Sequence, residues 1–198
     1  MLCLIDVYSQ TIEGVTFVVA LNKDQILTTS FHKDEKSAIH TVLNNLPFSV
    51  PFQVFSISPS SANKAISTMK LIYDGENPVI DLPLCTSHLS AYTKKVLKAT
   101  VAIPIGYVST YGAIAMAVGG GPRAVGNAMA CNLFAPIVPC HRVVKSNLTL
   151  GGYSAGGLKV KLDFLTRERR GYSEPRCIMV CGGQLKVFPV ELVLAKFT

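Results

Sequence analysis

The chain has 198 residues, of which 49% are hydrophobic and 16% are charged, and its formal net charge is +7. This balance excludes a disordered tail, since the chain can bury a sizeable core in one large domain or two small ones. The sequence contains no apolar stretch of the roughly 18 residues needed to span a bilayer, and its first residues lack the pattern of a signal peptide. We therefore expect a soluble, intracellular monomer without a membrane partner, located in the cytoplasm or, in a eukaryote, in the nucleus.

The positive charge lies in the second half of the chain. Residues 1–83 contain five Lys and Arg against eight Asp and Glu, whereas residues 84–198 contain fourteen against four. A basic half is compatible with a polyanionic partner, but many proteins carry one. It therefore supports nucleic-acid binding only if a binding motif lies within it. The six cysteines have irregular spacings, which argue against a secreted disulfide framework.

The N-terminal half is predicted to consist of strands and one helix. β-Branched and apolar residues predict strands over 16–21 and 25–31, separated by a short polar turn. Apolar residues at helical spacing predict a helix over 35–46. Turn-forming residues are concentrated over 74–83, where the charge balance also changes. We therefore predict that residues 1–84 form a small α/β domain, a β-sheet with a helix.

Residues 85–198 are predicted to form a mainly α-helical domain that ends in a β-hairpin tail. The predicted elements are helices over 90–102, 110–118, 122–131 and 157–170, and the hairpin over 177–190. Three glycines at 119–121 separate the second helix from the third, and Pro122 suits the first position of the third. Two short helices joined by a glycine-rich turn predict a helix-turn-helix.

The third of these helices is unusual for a reader of the DNA major groove. It carries one long cation, Arg123, among small or apolar residues, whereas reading base edges takes several polar side chains. Such a helix can instead press into the minor groove and insert its arginine into the base stack, which an enzyme that needs an extruded base requires. The alternative is that the small residues pack against a neighbouring helix.

The candidate nucleophile is Cys140, which follows an apolar, proline-containing run and directly precedes His141 and Arg142. A thiol is a useful nucleophile as thiolate, and a neighbouring base or positive field favours that form. Taken alone, a Cys-His pair is more often an inert buried cysteine beside a surface histidine. The predicted helix-turn-helix ends within ten residues of Cys140. Its proximity favours a nucleophile that acts on DNA.

Several segments of the second half resemble the O6-alkylguanine-DNA alkyltransferase family, which repairs DNA by direct reversal. The segments occur in the family's order over about a third of the chain, and their Pro-Cys-His-Arg-Val core is highly specific. They are 103–111, 122–129, Asn132, 137–143 and 151–154. The N-terminal half carries no motif of the family, so its likeness to the family's small N-terminal α/β domain rests on position and pattern alone.

The resemblance implies an irreversible, stoichiometric reaction in which Cys140 takes the alkyl group from O6 of guanine and is not regenerated. It implies that His141 polarises the thiol through a bridging water and that Glu168 orients this histidine. Tyr111 corresponds to the phenol that donates a proton to the departing guanine. Asn132 corresponds to the residue that braces the turn before the reactive loop. Neither a cofactor nor a metal is expected.

The same resemblance implies that the partner is double-stranded DNA carrying O6-alkylguanine, bound through the minor groove with the damaged base flipped out. Arg123 is expected to take the place of the flipped nucleotide. The expected DNA-contacting residues are Pro122, Arg123, Ala124 and Gly126. The expected substrate pocket is lined by Met129, Val143, Tyr153 and Ser154.

Two other functions are compatible with parts of this pattern. A DNA-binding module could flag alkylated bases without repairing them, but such relatives lack the acceptor cysteine that this chain has in Cys140. A redox sensor could use Cys140 together with Cys131, which stands where the family has glycine. That function would not explain Arg123, Tyr111 and Asn132 at their observed spacings.

The remaining cysteines and histidines give weaker signals. The candidates for a zinc site are Cys3, His32, His40, Cys85 and His88. Their spacing matches no compact ligand pattern, so no metal site is expected. Cys177 and Cys181 could pair across the hairpin in a hyperthermophile, but two free thiols are the expected state.

Overall fold

The computed structural model describes residues 4–46, 50–55 and 59–197, and its backbone packing divides the chain into two compact units. The first unit contains the residues up to 73, together with 77–88 and 133–137. The second unit contains residues 74–76, 89–132 and 138–198. Each unit combines a four-stranded sheet with helices. None of the described helices is long and apolar enough to cross a membrane.

The first unit is a mixed sheet with a helix on each face. Its elements are β1 (Ile5–Ile12), β2 (Val15–Asn22), β3 (Gln25–His32), α1 (Glu35–Asn45), β4 (Phe52–Phe55) and α2 (Ser60–Tyr73). The strand order is β3-β2-β1-β4, in which β4 is parallel to β1 and the other pairs are antiparallel. Val18 of β2 packs in a cluster with α1, whereas Phe17 contacts Tyr73 of α2. Successive strand side chains point to opposite faces, so the two helices bury both faces of β2.

The strands predicted over 16–21 and 25–31 and the helix predicted over 35–46 are confirmed by β2, β3 and α1. Helix α1 begins after Asp34, whose carboxylate accepts a hydrogen bond from the backbone N–H of Ser37 at 2.8 Å. The sequence patterns do not predict β1, β4 or α2. These elements extend the predicted pair of strands to four and place a second helix on the sheet.

The second unit contains the elements that build the candidate site. They are α3 (Ala91–Val101), β5 (Tyr107–Thr110), α4 (Tyr111–Val118), α5 (Pro122–Ala130), β6 (Val143–Val144), α6 (Gly157–Arg167), β7 (Arg176–Val180), β8 (Gly183–Pro189) and α7 (Glu191–Leu194). The strand order is β6-β5-β8-β7. β5 is parallel to β6 and antiparallel to β8, which is antiparallel to β7. All predicted helices and the predicted hairpin of this half are present.

The prediction of a mainly helical second half with an isolated hairpin tail misses part of this sheet. The hairpin strand β8 pairs with β5, and β5 pairs in turn with β6. β5 has four residues and β6 has two, which is too short for an alternating pattern to stand out in the sequence. The second unit is therefore a sheet flanked by helices.

Helices α4 and α5 contact each other and are joined by the three glycines. α4 is capped by Thr110, whose hydroxyl accepts a hydrogen bond from the N–H of Ala113 at 3.0 Å. Gly120 has a φ of +87°, and a Cβ there would lie 2.7 Å from the hydroxyl oxygen of Tyr92 on α3. Only glycine fits this turn, because any larger residue would be strained and would collide with that ring.

Candidate active site

Cys140 lies at the start of a single 3-10 turn that is almost entirely buried. The turn covers Cys140–Arg142, and its geometry is fixed by backbone hydrogen bonds. The N–H of Cys140 donates to the carbonyl of Val138 at 2.8 Å, and the N–H of Arg142 donates to the carbonyl of Pro139 at 2.9 Å. Cys140 is 6% exposed. The backbone that carries the thiol is therefore fixed by these bonds.

Asn132, at the end of α5, contacts this turn directly. Its side-chain amide donates hydrogen bonds to the carbonyl of Val138 at 3.1 Å and to the sulfur of Cys140 at 3.2 Å. The amide therefore links the chain just after α5 to the turn and directs one N–H at the sulfur.

A cavity of about 140 Å³ opens beside the thiol. Its lining residues come from α4, α5, the turn and the loop before α6. They are Tyr111, Gly126, Met129, Ala130, Cys140, Gly152, Tyr153 and Ser154. The structure thus brings the sulfur of Cys140 and the phenol of Tyr111 to one cavity. A substrate in this space can meet a nucleophile and a proton donor together.

Behind the thiol, His141 and Arg142 bind the same carboxylate. Nε2 of His141 lies 2.8 Å from Oε1 of Glu168, and Arg142 donates from Nε and Nη2 to that carboxylate at 2.8–3.0 Å. Arg142 also donates to the carbonyl of Ile103 at 2.7 Å. His141 and Glu168 are fully buried. The pair is held against Phe164, whose ring stacks on that of His141 with 4.5 Å between the centroids.

The charges of this cluster follow from burial and from its hydrogen bonds. Burial alone would raise the pKa of Glu168, but His141 and Arg142 outweigh it and hold the pKa at about 2. Burial lowers the pKa of His141, against the opposing effect of Glu168. An ionised Glu168 beside a neutral imidazole places the proton on Nε2. Nδ1 then carries the free lone pair, and no hydrogen-bond partner for it is found among the described residues.

Lys161 on α6 belongs to the site and was missed by the sequence analysis. Its ammonium is buried and donates to the carbonyls of Val143 at 2.6 Å and Gly152 at 3.1 Å. Burial lowers the pKa of Lys161 to about 8, while the charge of Cys140 acts to raise it. Lys161 thereby ties the cavity loop to the strand that follows the turn. The available signal was its position four residues before Leu165 on the apolar face of α6.

The thiol itself is protonated at rest. Burial raises the pKa of Cys140, and the hydrogen bond from Asn132 and the charge of Lys161 lower it in part. Burial also raises the pKa of Tyr111, and the nearby Cys140 raises it further. Both groups carry their protons at neutral pH. A reaction at the sulfur therefore needs a base, and the neutral His141, with no hydrogen-bond partner for Nδ1 among the described residues, is a candidate.

The predicted site residues occupy distinct positions around the cavity. Of the predicted pocket residues, Met129, Tyr153 and Ser154 line it, whereas Val143 is buried in β6 and does not. The predicted DNA-contacting residues all lie on α5. Pro122 and Arg123 are exposed, Ala124 is half-buried, and Gly126 lines the cavity. The N-terminal end of α5 is therefore exposed to solvent, and its later residues line the cavity.

Within the described part of the chain, the structure does not bring the candidate zinc ligands or the two hairpin cysteines together. Among the residues that the structure describes, no group of three or more His, Cys, Asp and Glu could hold a metal ion. Cys3, one of the zinc candidates, lies outside those residues. Cys177 and Cys181 are free and exposed, so they do not pair across the hairpin.

Comparison with known proteins finds sequence relatives of this chain. Residues 91–170 match the family model described as 6-O-methylguanine DNA methyltransferase, DNA binding domain. A methylated-DNA--protein-cysteine methyltransferase of Methanothermobacter thermautotrophicus is 34% identical over 118 residues, which cover 57% of this chain and 64% of that protein. One of Archaeoglobus fulgidus is 34% identical over 103 residues, which cover 52% of this chain and 69% of that protein.

A solved structure shows the same fold over a larger part of the chain. Mycobacterium tuberculosis OGT in complex with DNA gives a TM-score of 0.64 at 25% sequence identity, covering 83% of this chain and 92% of that one. By sequence, the chain spans slightly less than two thirds of the Methanothermobacter relative and slightly more than two thirds of the Archaeoglobus relative. The chain belongs to the methylated-DNA--protein-cysteine methyltransferase family.

Proposed function

We propose that this protein repairs DNA by transferring an alkyl group from O6 of guanine to the sulfur of Cys140, once and irreversibly. The observation that carries this proposal is the shared cavity of Cys140 and Tyr111, with the His141–Glu168 pair behind the thiol. Displacing guanine from an alkyl carbon needs a soft nucleophile at that carbon and an acid at the leaving base. A thiol and a phenol on one cavity supply both.

The reaction begins with removal of the thiol proton. Nδ1 of His141 accepts it through a bridging water, and Glu168 stabilises the imidazolium that forms. The thiolate that develops at Cys140 is stabilised by the amide of Asn132 and by the charge of Lys161. Although the resting thiol is protonated, these groups lower the free energy of the ionised form when the substrate is in place.

The sulfur then attacks the alkyl carbon in a single displacement. A carbon–sulfur bond forms as the bond between that carbon and O6 breaks, and the bonding electrons leave with the guanine. Tyr111 donates a proton to the departing base, and the proton held by His141 restores the phenol. The net result moves the thiol proton to guanine and the alkyl group to Cys140. The thioether has no leaving pathway, so each molecule acts once, without a cofactor.

Access to the base is assigned to α4 and α5 acting as a helix-turn-helix in the minor groove. α5 borders the cavity through Gly126 and Met129, while Arg123 at its start is exposed and free to enter the base stack. A helix with this arrangement lies between the duplex and the cavity, so an extruded guanine has a short path to Cys140. The similar OGT structure, described as a complex with DNA, supports DNA as the partner.

The proposal divides the work between two domains. Residues 85–198 bind DNA and accept the alkyl group, and they contain most of the positive charge. Residues 1–84 supply most of the α/β unit, to which residues 133–137 also belong. The protein acts as a monomer in the cytoplasm, or in the nucleus of a eukaryote.

Intact-mass measurement of the reduced protein after incubation with a duplex containing O6-methylguanine tests this function. We expect the added mass of one methyl group, located on Cys140 by peptide analysis. Cys140→Ala should gain nothing, whereas Cys131→Ala, which removes a neighbouring exposed thiol, should react like the unaltered protein. Tight binding to the damaged duplex without any added mass would instead identify a module that flags the lesion.

A further inference from the structure

The C-terminal segment, residues 171–197, lies beyond the part of the chain that matches the family model and has no part in the proposed reaction. It forms the C-terminal hairpin (β7 and β8) and the short helix α7. Its contacts are made to elements that precede or carry Tyr111, a residue lining the cavity. They include β5, the strand that ends directly before Tyr111, and α4.

β5 lies between β6, the strand that follows the turn of Cys140, and β8 of the C-terminal hairpin. On one side, Ser109 and Thr110 pair with Val143 and Val144, which follow the turn of Cys140. On the other side, only two residues of β5 pair with β8. The hydroxyl of Ser109 extends that second contact by donating to the carbonyl of Lys186 at 2.8 Å. Ser109 therefore links β5 to the hairpin one residue before the cap of α4.

Ser109 is an unusual choice for such a position. It is fully buried between two strands, where β-branched apolar residues fit best. Burying a hydroxyl is unfavourable unless the hydroxyl is hydrogen-bonded, so the bond to Lys186 is what makes serine acceptable there. This hydrogen bond fixes the position of β5 relative to β8 in a way that apolar packing alone would not.

The hairpin also contacts the far end of α4. Gly183, the first residue of β8, lies so close to the last turn of α4 that a Cβ on it would collide with the carbonyl oxygen of Ala117. β8 therefore touches the chain just before α4 begins and again where α4 ends. The carboxylate of Glu191 on α7 accepts hydrogen bonds from the N–H groups of Arg170 at 3.1 Å and Gly171 at 2.5 Å, which anchors the start of the segment.

We propose that Ser109 is a positioning residue for alkyl transfer and that the C-terminal hairpin acts through it to hold Tyr111 in the orientation that donates a proton to guanine. This inference rests on the proposed function. Tyr111 is the first residue of α4, two residues after Ser109, and β8 contacts the chain just before α4 begins and again in its last turn. A small shift of β5 therefore moves the phenol relative to Cys140, and proton transfer is sensitive to such shifts.

The test measures alkyl transfer by Ser109→Ala at increasing concentrations of the methylated duplex. We expect the rate constant at saturation to fall on the order of tenfold while the half-saturating concentration stays unchanged. Ser30→Ala is the matched control, because the hydroxyl of Ser30 is also buried and donates to a carbonyl, that of Ala38, at 2.6 Å. It should transfer at the unaltered rate.

A double-mutant cycle separates positioning of Tyr111 from a general loss of structure. In a Tyr111→Phe background, Ser109→Ala should change the rate by less than about twofold, because the group that it positions is gone. Gly183→Ala, which pushes β8 away from α4, should reproduce the rate loss. In the Tyr111→Phe background it should likewise leave the transfer rate nearly unchanged. Each variant is compared at a temperature where its circular dichroism matches that of the unaltered protein.

The inference is overturned if folded Ser109→Ala and Gly183→Ala both transfer at the unaltered rate. It is also overturned if Ser109→Ala is as harmful with Phe at position 111 as with Tyr. If the unaltered protein gains no methyl group at Cys140, the proposed function itself is wrong. The two failures are therefore distinguishable.

Discussion

Oε1 of Glu168 lies 2.8 Å from Nε2 of His141, and this contact decides which nitrogen of the imidazole can act as a base. With Nε2 occupied, the lone pair of the neutral ring is on Nδ1. Arg142 holds the carboxylate from the other side, so the ring orientation is fixed before any substrate arrives. The contact of His141 with Glu168 therefore leaves Nδ1 of His141 available as a base before substrate binds.

The first prediction concerns the pH dependence of alkyl transfer. Since burial lowers the pKa of His141, the ring is neutral and able to accept a proton at pH 7. On acidification the rate should fall, with a midpoint below about 6.5, the ordinary histidine pKa. The reaction of Cys140 with free benzylguanine, followed by mass from about pH 5 to about pH 8, measures this midpoint. A midpoint above 7 would contradict the assigned base.

The second prediction concerns stability in acid. The pKa of Glu168 is about 2 in the folded protein, below the roughly 4.3 of an unfolded chain. A lowered carboxyl pKa stabilises the fold at pH values above the unfolded pKa, and this contribution is lost as pH falls through the folded pKa. It amounts to about 3 kcal/mol, lost between about pH 5 and about pH 2.

Urea unfolding at a series of pH values measures this contribution. Glu168→Gln should flatten the dependence over that range. At neutral pH it should destabilise the fold by about 3–5 kcal/mol, because it leaves the charge of Arg142 buried and unpaired. Glu174→Gln alters an exposed carboxylate and should leave both quantities unchanged. An equal slope in the two variants would show that other carboxylates dominate.

The third prediction concerns Lys161. Lys161→Met removes the ammonium that binds the carbonyls of Val143 and Gly152, and with it a positive charge that lowers the pKa of Cys140. We expect transfer to slow by roughly 10- to 100-fold, the equivalent of about one charge-assisted hydrogen bond. The pH at which iodoacetamide modifies Cys140, read by peptide mass, should rise. Lys159→Met, on the exposed side of the same helix, should change neither quantity.

Local sequence signals were sufficient for most of the elements around the site. Thr110 and Pro122 mark the starts of α4 and α5, and the structure has both helices within a residue of the predicted bounds. The thiol, the histidine and the asparagine are likewise predicted from short motifs, because their spacing along the chain is small. Their roles stay predictions until the reaction is measured.

Contacts between distant segments could not be predicted in the same way. Lys161 follows an apolar pattern that gives no hint of a buried charge, and its partners lie in strand β6 and in the loop before α6. β5 is recognisable through its pairing with β6 and with β8, which lies nearly eighty residues later, where the hydroxyl of Ser109 donates to the carbonyl of Lys186. Such pairings depend on tertiary packing, which outweighs local propensity in short strands.

The fourth prediction concerns Gly151. Its φ is +68°, and a Cβ there would lie 3.3 Å from the ring of Tyr111. Gly151→Ala should therefore lower the free energy of unfolding by about 1–2 kcal/mol through backbone strain and also slow alkyl transfer by displacing the phenol. Gly14 has a similar φ of +75°, and a Cβ there would have no atom within 4 Å. Gly14→Ala should therefore show the strain without the loss of rate. Equal transfer rates in the two variants would mean that Gly151 does not position Tyr111.

The last prediction separates DNA binding from chemistry at the sulfur. Arg123 is exposed at the start of α5 and does not line the cavity, so Arg123→Ala should leave the reaction with free benzylguanine unchanged. With a methylated duplex the rate should fall roughly tenfold or more, because unstacking a base costs a few kcal/mol that the inserted side chain offsets. Lys23→Ala removes the same charge from the first unit and should slow neither reaction. If Arg123→Ala slowed both reactions equally, the side chain would be acting on the cavity, and the minor-groove assignment of α5 would lose its main support.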